Sequence, residues 1–159
     1  MVSFIRNKKR FNMQTIKGKI TMENGEVIPF ELYPECAPKT VENFVKLINE
    51  KFYDGLTFHR VIPGFVSQGG CPLGNGRGEL SYNIKCETAN NPLKHIPGAI
   101  SMAHRGKDTG SCQFFICHET QRHLDGVHTV FGQVTDNLEA VLKMRNGDVM
   151  KSVTLDSYE

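Results

Sequence analysis

Turn punctuation is the feature that most constrains this chain. Fifteen glycines and seven prolines, some in turn pairs such as Asn24-Gly25 and Asp125-Gly126, cut its 159 residues into short runs. Runs bounded so closely by turn residues read as strands rather than long helices. GKITMEN and EVIPFELY flank Asn24-Gly25 as a hairpin, because this pair tolerates the positive φ angles of tight turns. Strand-like segments follow near residues 56–62, 65–69, 98–103, 112–117 and 128–134, with a last one near 152–155. Pro38 opens an amphipathic helix in which Val41, Phe44, Val45 and Ile48 form one stripe, and a second short helix covers Leu138 to Met144. Many short strands, two separated helices and no strand-helix alternation predict an antiparallel sheet closed into a barrel, its open ends covered by the helices. The alternative on the same pattern is a sandwich.

The length suits one domain with a core of its own, placed at residues 14–159. A basic extension, residues 1–13, precedes it; Arg6, Lys8, Lys9 and Arg10 stand there without an acid, so a net charge of +2 leaves the remainder at −2. A slightly acidic domain argues against a nucleic-acid surface on the domain itself. No apolar run reaches membrane-spanning length, and the opening MVSFIRNKKRF has charge without an apolar segment behind it, so it does not read as a secretory signal. The cytoplasm is the default compartment and a monomer the default state. Five cysteines, Cys36, Cys71, Cys86, Cys112 and Cys117, contain no CxxC pair and fit reduced thiols.

FHRVIPGFVSQGG, residues 58–70, places a charge among apolar neighbours. Strand alternation sets Leu56, Phe58, Arg60 and Ile62 on one face. A guanidinium there needs partners, so Arg60 is either a structural arginine paired with a carboxylate or a donor aimed into an apolar cleft. CQFFIC repeats the theme, with Gln113 beside Phe115 on one face and Phe114 with Ile116 on the other. The long turn-rich stretch between Cys71 and Pro97 is expected to wall a binding groove. Two apparent motifs carry little. GNGRG lacks the Lys-Ser/Thr and helix of a phosphate loop, and His118-Glu119 with His123 reads HExxxH rather than the zinc-binding HExxH. No metal or cofactor is predicted.

FHRVIPGFVSQGG, GAISMAHRGKDTGSCQFFIC and HLDGVHTVFGQV, in this order, closely resemble the cyclophilins, peptidyl-prolyl cis-trans isomerases, over about Lys17 to Leu155. The resemblance implies a mainly β fold, a closed eight-stranded antiparallel barrel capped by two α-helices, and rotation about Xaa-Pro bonds as the activity. It makes Arg60 the catalytic arginine. It gives Phe65, Val66, Gln68, Gly76, Ala103, His104, Gln113, Phe115, His123, Leu124 and His128 to substrate binding, with Ala103 and His104 on the strand that holds the peptide backbone. The implied partners are proline-containing peptides and unfolded or folding proteins. His123 stands where cyclosporin-sensitive members carry Trp, which implies weakened cyclosporin binding, and His104 replaces an Asn common in the family. The compact CPLGNGRGEL loop resembles bacterial-type members. Two rival functions remain on the residues alone: a proline-peptide binder that does not catalyse, and a thiol protein built on the cysteines.

Overall fold

The computed structural model describes residues 15–156, so the basic extension at 1–13 lies outside the described residues. β1 (Ile16–Met22) and β2 (Val27–Leu32) pair antiparallel around a turn in which Gly25 takes φ +94°. α1 (Pro38–Asn49) follows, opening on its proline and burying Val41, Phe44, Leu47 and Ile48. No side chain of its own caps that helix. Glu87, from the long loop after Cys71, accepts from the Lys39 and Thr40 amides at 3.1 and 2.8 Å, putting a carboxylate on the positive end of the helix dipole.

The remaining strands are β3 (Thr57–Phe58), β4 (Arg60–Ile62), β5 (Val66–Gly69), β6 (Ala99–Met102), β7 (Phe114–Cys117), β8 (Val130–Val134) and β9 (Asp148–Leu155). A 3-10 turn, Arg122–Leu124, and α2 (Leu138–Leu142) lie between them. All pairings are antiparallel, in the order β3-β9-β1-β2-β8-β6-β7-β5-β4. The two ends of that order, β3 and β4, are neighbours in the chain. The sheet therefore curls until its edges meet at His59, and the Gly70 amide donates to the Thr57 carbonyl at 3.3 Å across the join. This nearly closed barrel has nine strands where eight were expected, because the stretch 57–62 breaks at His59 and pairs with β9 on one side of the break and β5 on the other.

The break also corrects the facing of Arg60. Phe58 is fully buried in the barrel, whereas Arg60 and Ile62 are exposed on the outer side. Arg60 does not share the face of Phe58. Other boundaries shift as well: the strands expected at 112–117 and 128–134 begin at Phe114 and Val130, the last strand begins at Asp148, and the helix expected to reach Met144 ends at Leu142.

The barrel interior is aromatic. Phe44 of α1 packs against Phe131, Phe114 and Tyr53 with ring centroids 5.0, 5.2 and 5.2 Å apart, and the buried Tyr53 hydroxyl donates to the Cys112 carbonyl at 2.7 Å. Removing the Phe44 ring leaves a void that several rigid rings cannot fill together. Phe44→Ala should destabilise the fold by about 3–5 kcal/mol in urea unfolding; a loss below about 1 kcal/mol would show that the helix does not plug the barrel through this ring.

Candidate active site

Alternation along β7 gives the sheet two buried faces. Phe114 and Ile116 join the barrel core, while Phe115 and Cys117 join a smaller outer cluster with Val66, Ala99 and Val130. Phe65, Ala103 and Leu124 pack against that outer cluster. Strand register then sets a row of side chains across the outer face, since Arg60 is paired with Gln68, Gln68 with Phe115, and Phe115 with Ser101. Residues far apart in sequence are cross-strand neighbours here.

The row borders a groove of about 420 Å³ lined by Arg60, Phe65, Val66, Gln68, Gly76, Ala103, His104, Phe115, Leu124 and His128, and also by His59 and Asn75. That is the size range of small-ligand sites, with an apolar slot and a few polar groups. A smaller side pocket of about 70 Å³ adjoins it, with Gln113 in its wall beside Gln68 and Gly76. An ion pair between Arg105 and Glu79 lies at that pocket.

Hydrogen bonds give the row a direction. Gln113 Nε2 donates to the Gly76 and Gly78 carbonyls at 3.1 and 3.0 Å. Carbonyls only accept, so the Gln113 amide must turn its oxygen the other way, where it accepts from Gln68 Nε2 at 3.1 Å. Gln68 in turn presents its oxygen to Arg60 Nη1 at 3.2 Å. The loop backbone thus orients Arg60 through two amides. Among the described residues this is the only hydrogen bond of the guanidinium, and no ion pair involves it. No carboxylate among the described residues pairs with Arg60, which leaves N–H donors available at the edge of the slot.

Imidazoles line the opposite wall. His128 Nδ1 donates to the Met102 carbonyl at 3.0 Å, its ring meets Phe115 edge-on at 5.4 Å, and His104 stacks on it at 4.0 Å. His104 Nδ1 accepts from the Gly106 amide at 3.2 Å, so its proton lies on Nε2, which donates to the Val127 carbonyl at 2.9 Å. His123 stacks on Phe65 at 6.0 Å, placing it at the rim beside the slot. Burial lowers the pKa of His128, opposed by the Met102 hydrogen bond and reinforced by the neighbouring imidazoles.

Of the residues singled out in the sequence, all but Gln113 and His123 line the groove directly, and those two touch Gln68 and Phe65, which do. His59 and Asn75 were missed. Alternation assigned His59 to the face opposite Arg60, and only the break there turns it toward the groove. Asn75 reads as a turn residue, and it is one: its side chain accepts from the Arg77 amide at 2.9 Å. The HExxxH pair is divided between two tasks, because His118 spends its ring nitrogens on the Gly64 amide and Ser67 hydroxyl while His123 covers Phe65.

The candidate site is thus an outer-face groove on an antiparallel barrel, with an apolar slot beside an oriented guanidinium that no carboxylate pairs among the described residues. Residues 16–157 match the family described as cyclophilin type peptidyl-prolyl cis-trans isomerase/CLD. The chain is 66% identical over 139 residues to peptidyl-prolyl cis-trans isomerase B of Bacillus subtilis, covering 87% of this chain and 97% of that one. It is 54% identical over 145 residues to a peptidyl-prolyl cis-trans isomerase of Synechococcus elongatus, covering 90% and 93%. A crystal structure of a Cryptosporidium parvum cyclophilin-type isomerase in the presence of the dipeptide Ala-Pro superposes with TM-score 0.81 at 28% identity, over 91% of this chain and all of that one. The chain belongs to the cyclophilin-type peptidyl-prolyl cis-trans isomerases.

Buried and half-buried imidazoles also set a pH dependence of stability. Burial lowers the folded pKa of His59, His95, His118 and His128, so the folded chain binds fewer protons than the unfolded one below the ordinary imidazole range. Stability is lost as pH falls through the unfolded-state value. Asp125 adds to this at lower pH: burial works to raise its pKa, but hydrogen bonds from His95 outweigh that and hold it low, so its contribution is lost as it protonates. Tm should hold steady from about pH 8 to 7 and fall progressively from about pH 6.5 to 4. A Tm that rises or stays level over the acid interval contradicts this accounting.

Proposed function

We propose that the groove binds an extended peptide with its proline ring in the slot formed by Phe65, Phe115 and Leu124, and that Arg60 is the catalytic group. The observation that carries this reading is the guanidinium itself, unpaired with any carboxylate among the described residues and aimed by Gln68. The Xaa-Pro bond resists rotation with a barrier of roughly 18–20 kcal/mol because the nitrogen lone pair is delocalised. A hydrogen bond from Arg60 to the prolyl nitrogen localises that lone pair. It is stronger in the twisted transition state, where the nitrogen pyramidalises, than in either planar ground state, so it lowers the barrier rather than merely binding.

Gln68, Gln113 and the backbone at His104 hold the flanking peptide. The His104 main-chain N–H and C=O form no hydrogen bond among the described residues, just beyond the end of β6, as an edge awaiting an added strand requires. An acceleration of about 10⁵ needs only about 7 kcal/mol of differential stabilisation, within reach of one charged donor and positioning. The reaction needs no covalent intermediate or general base.

On this reading the clients are unfolded or folding proteins with accessible Xaa-Pro bonds, and the isomerase assists folding as a cytoplasmic monomer that binds no nucleic acid. Among the described residues no helix is long and apolar enough to cross a membrane. A role as a thiol protein is poorly supported at two of its cysteines, because burial pushes Cys112 and Cys117 up to about 11 and about 12.

Arg60→Ala should lower kcat/KM in a coupled assay on Xaa-Pro peptides by about a hundredfold or more while Tm stays near that of the parent. An unchanged kcat/KM would falsify the role of Arg60. For cyclosporin, the imidazole of His123 at the rim offers less apolar surface than an indole, so binding should be weak by calorimetry; a nanomolar Kd would contradict this.

A further inference from the structure

One buried side chain outside the groove grips several of its walls from behind. His95, 1% exposed, lies just before β6, and its ring is stacked on Phe115 at 5.8 Å with an interplanar angle of 14°. Its main-chain N–H and its Nδ1 both reach Asp125 Oδ1 at 2.8 Å, so the carboxylate accepts twice from one residue. Its carbonyl accepts from the Gln121 amide at 2.9 Å. Gln121 and Asp125 are the residues that flank the 3-10 turn Arg122–Leu124 on either side. On its other edge, Nε2 lies 2.9 Å from Ser101 Oγ, which is also 3.1 Å from the Thr129 carbonyl, next to His128.

The 3-10 turn has no buried residue of its own. Leu124 packs on the outer cluster and His123 on Phe65, but both stay partly open to solvent, so the bonds from His95 to both ends of the turn add an anchor to that partial packing. The same turn carries His123 and Leu124. Phe115, which lies against the His95 ring, forms the facing side of the slot.

We propose that His95 is a positioning residue for the isomerase, holding the Arg122–Leu124 turn and Phe115 at the spacing that admits a proline ring. This rests on the reading of the slot as the proline site. A slot that holds the ring alike in ground and transition states affects KM more than kcat, which separates this role from that of Arg60.

The test is a set of variants assayed for kcat and KM on an Xaa-Pro peptide, each with a thermal melt. His95→Phe keeps a flat ring against Phe115 and removes the Nδ1 bond; Asp125→Ala removes the acceptor; Asp125→Asn keeps an oxygen in its place. We expect His95→Phe and Asp125→Ala each to raise KM about five- to tenfold with kcat changed less than about twofold, and Asp125→Asn to stay within about twofold of the parent. The double variant should be no worse than the worse single one, since the two residues act as a unit. Unchanged KM in the folded variants, equal damage from Asp125→Asn and Asp125→Ala, or independent effects in the double variant would each overturn the proposal. If His95→Phe does not fold, Asp125→Ala decides alone, because that side chain is 23% exposed. Leu124→Ala is the control. A raised KM there without one at Asp125→Ala overturns the role of His95 only, whereas no change at Leu124→Ala overturns the slot reading beneath it.

Discussion

The structure depends on a four-residue strand, Phe114–Cys117, that is buried on both faces. Its inner side chains lock the barrel to the helix, with Phe114 against Phe44, Tyr53 and Phe58. Its outer side chains found the groove, with Phe115 at the centre of the row that begins at Arg60. One strand therefore couples the rigidity of the core to the geometry of the site. Close packing on the inner face leaves Phe115 little freedom to shift, and the groove inherits that order.

The catalytic role proposed for Arg60 asks for a charge that is both available and aimed, and these demands conflict. A carboxylate partner would aim Arg60 but occupy its donors. Here neutral amides do the aiming, with direction supplied by backbone carbonyls at Gly76 and Gly78 that can only accept. On the proposed mechanism, fixed dipoles in place before the substrate arrives cost no reorganisation during rotation, which lets a modest differential stabilisation become a large rate effect. The long loop after Cys71 serves two parts of the molecule: it caps α1 through Glu87 and orients the row of amides ending at Arg60 through its glycine carbonyls.

Much of this was readable in the chain. The hairpin around Asn24-Gly25, the helix opening at Pro38 and the two faces of CQFFIC follow from local rules of turn chemistry and periodicity, and the structure shows each of them. The strand through Arg60 was misread because alternation presumes an unbroken strand. The break at His59 arises where the barrel edges meet, a non-local event that leaves no local signature. His59 and Asn75 were overlooked for the same reason, and so was His95, an ordinary residue until Asp125, Phe115 and Ser101 are brought around it.

The sequence by itself determined the element types, the two-faced strand and, through three long motifs, the family and the residues to examine. Local backbone preferences and side-chain alternation act within a few residues, so they are written in the order of the chain. Only the tertiary structure decided which way Arg60 faces, which amide aims it, and what stands behind the slot. Those outcomes depend on sheet closure and on register between strands tens of residues apart, where each contact is made by partners the local sequence does not specify.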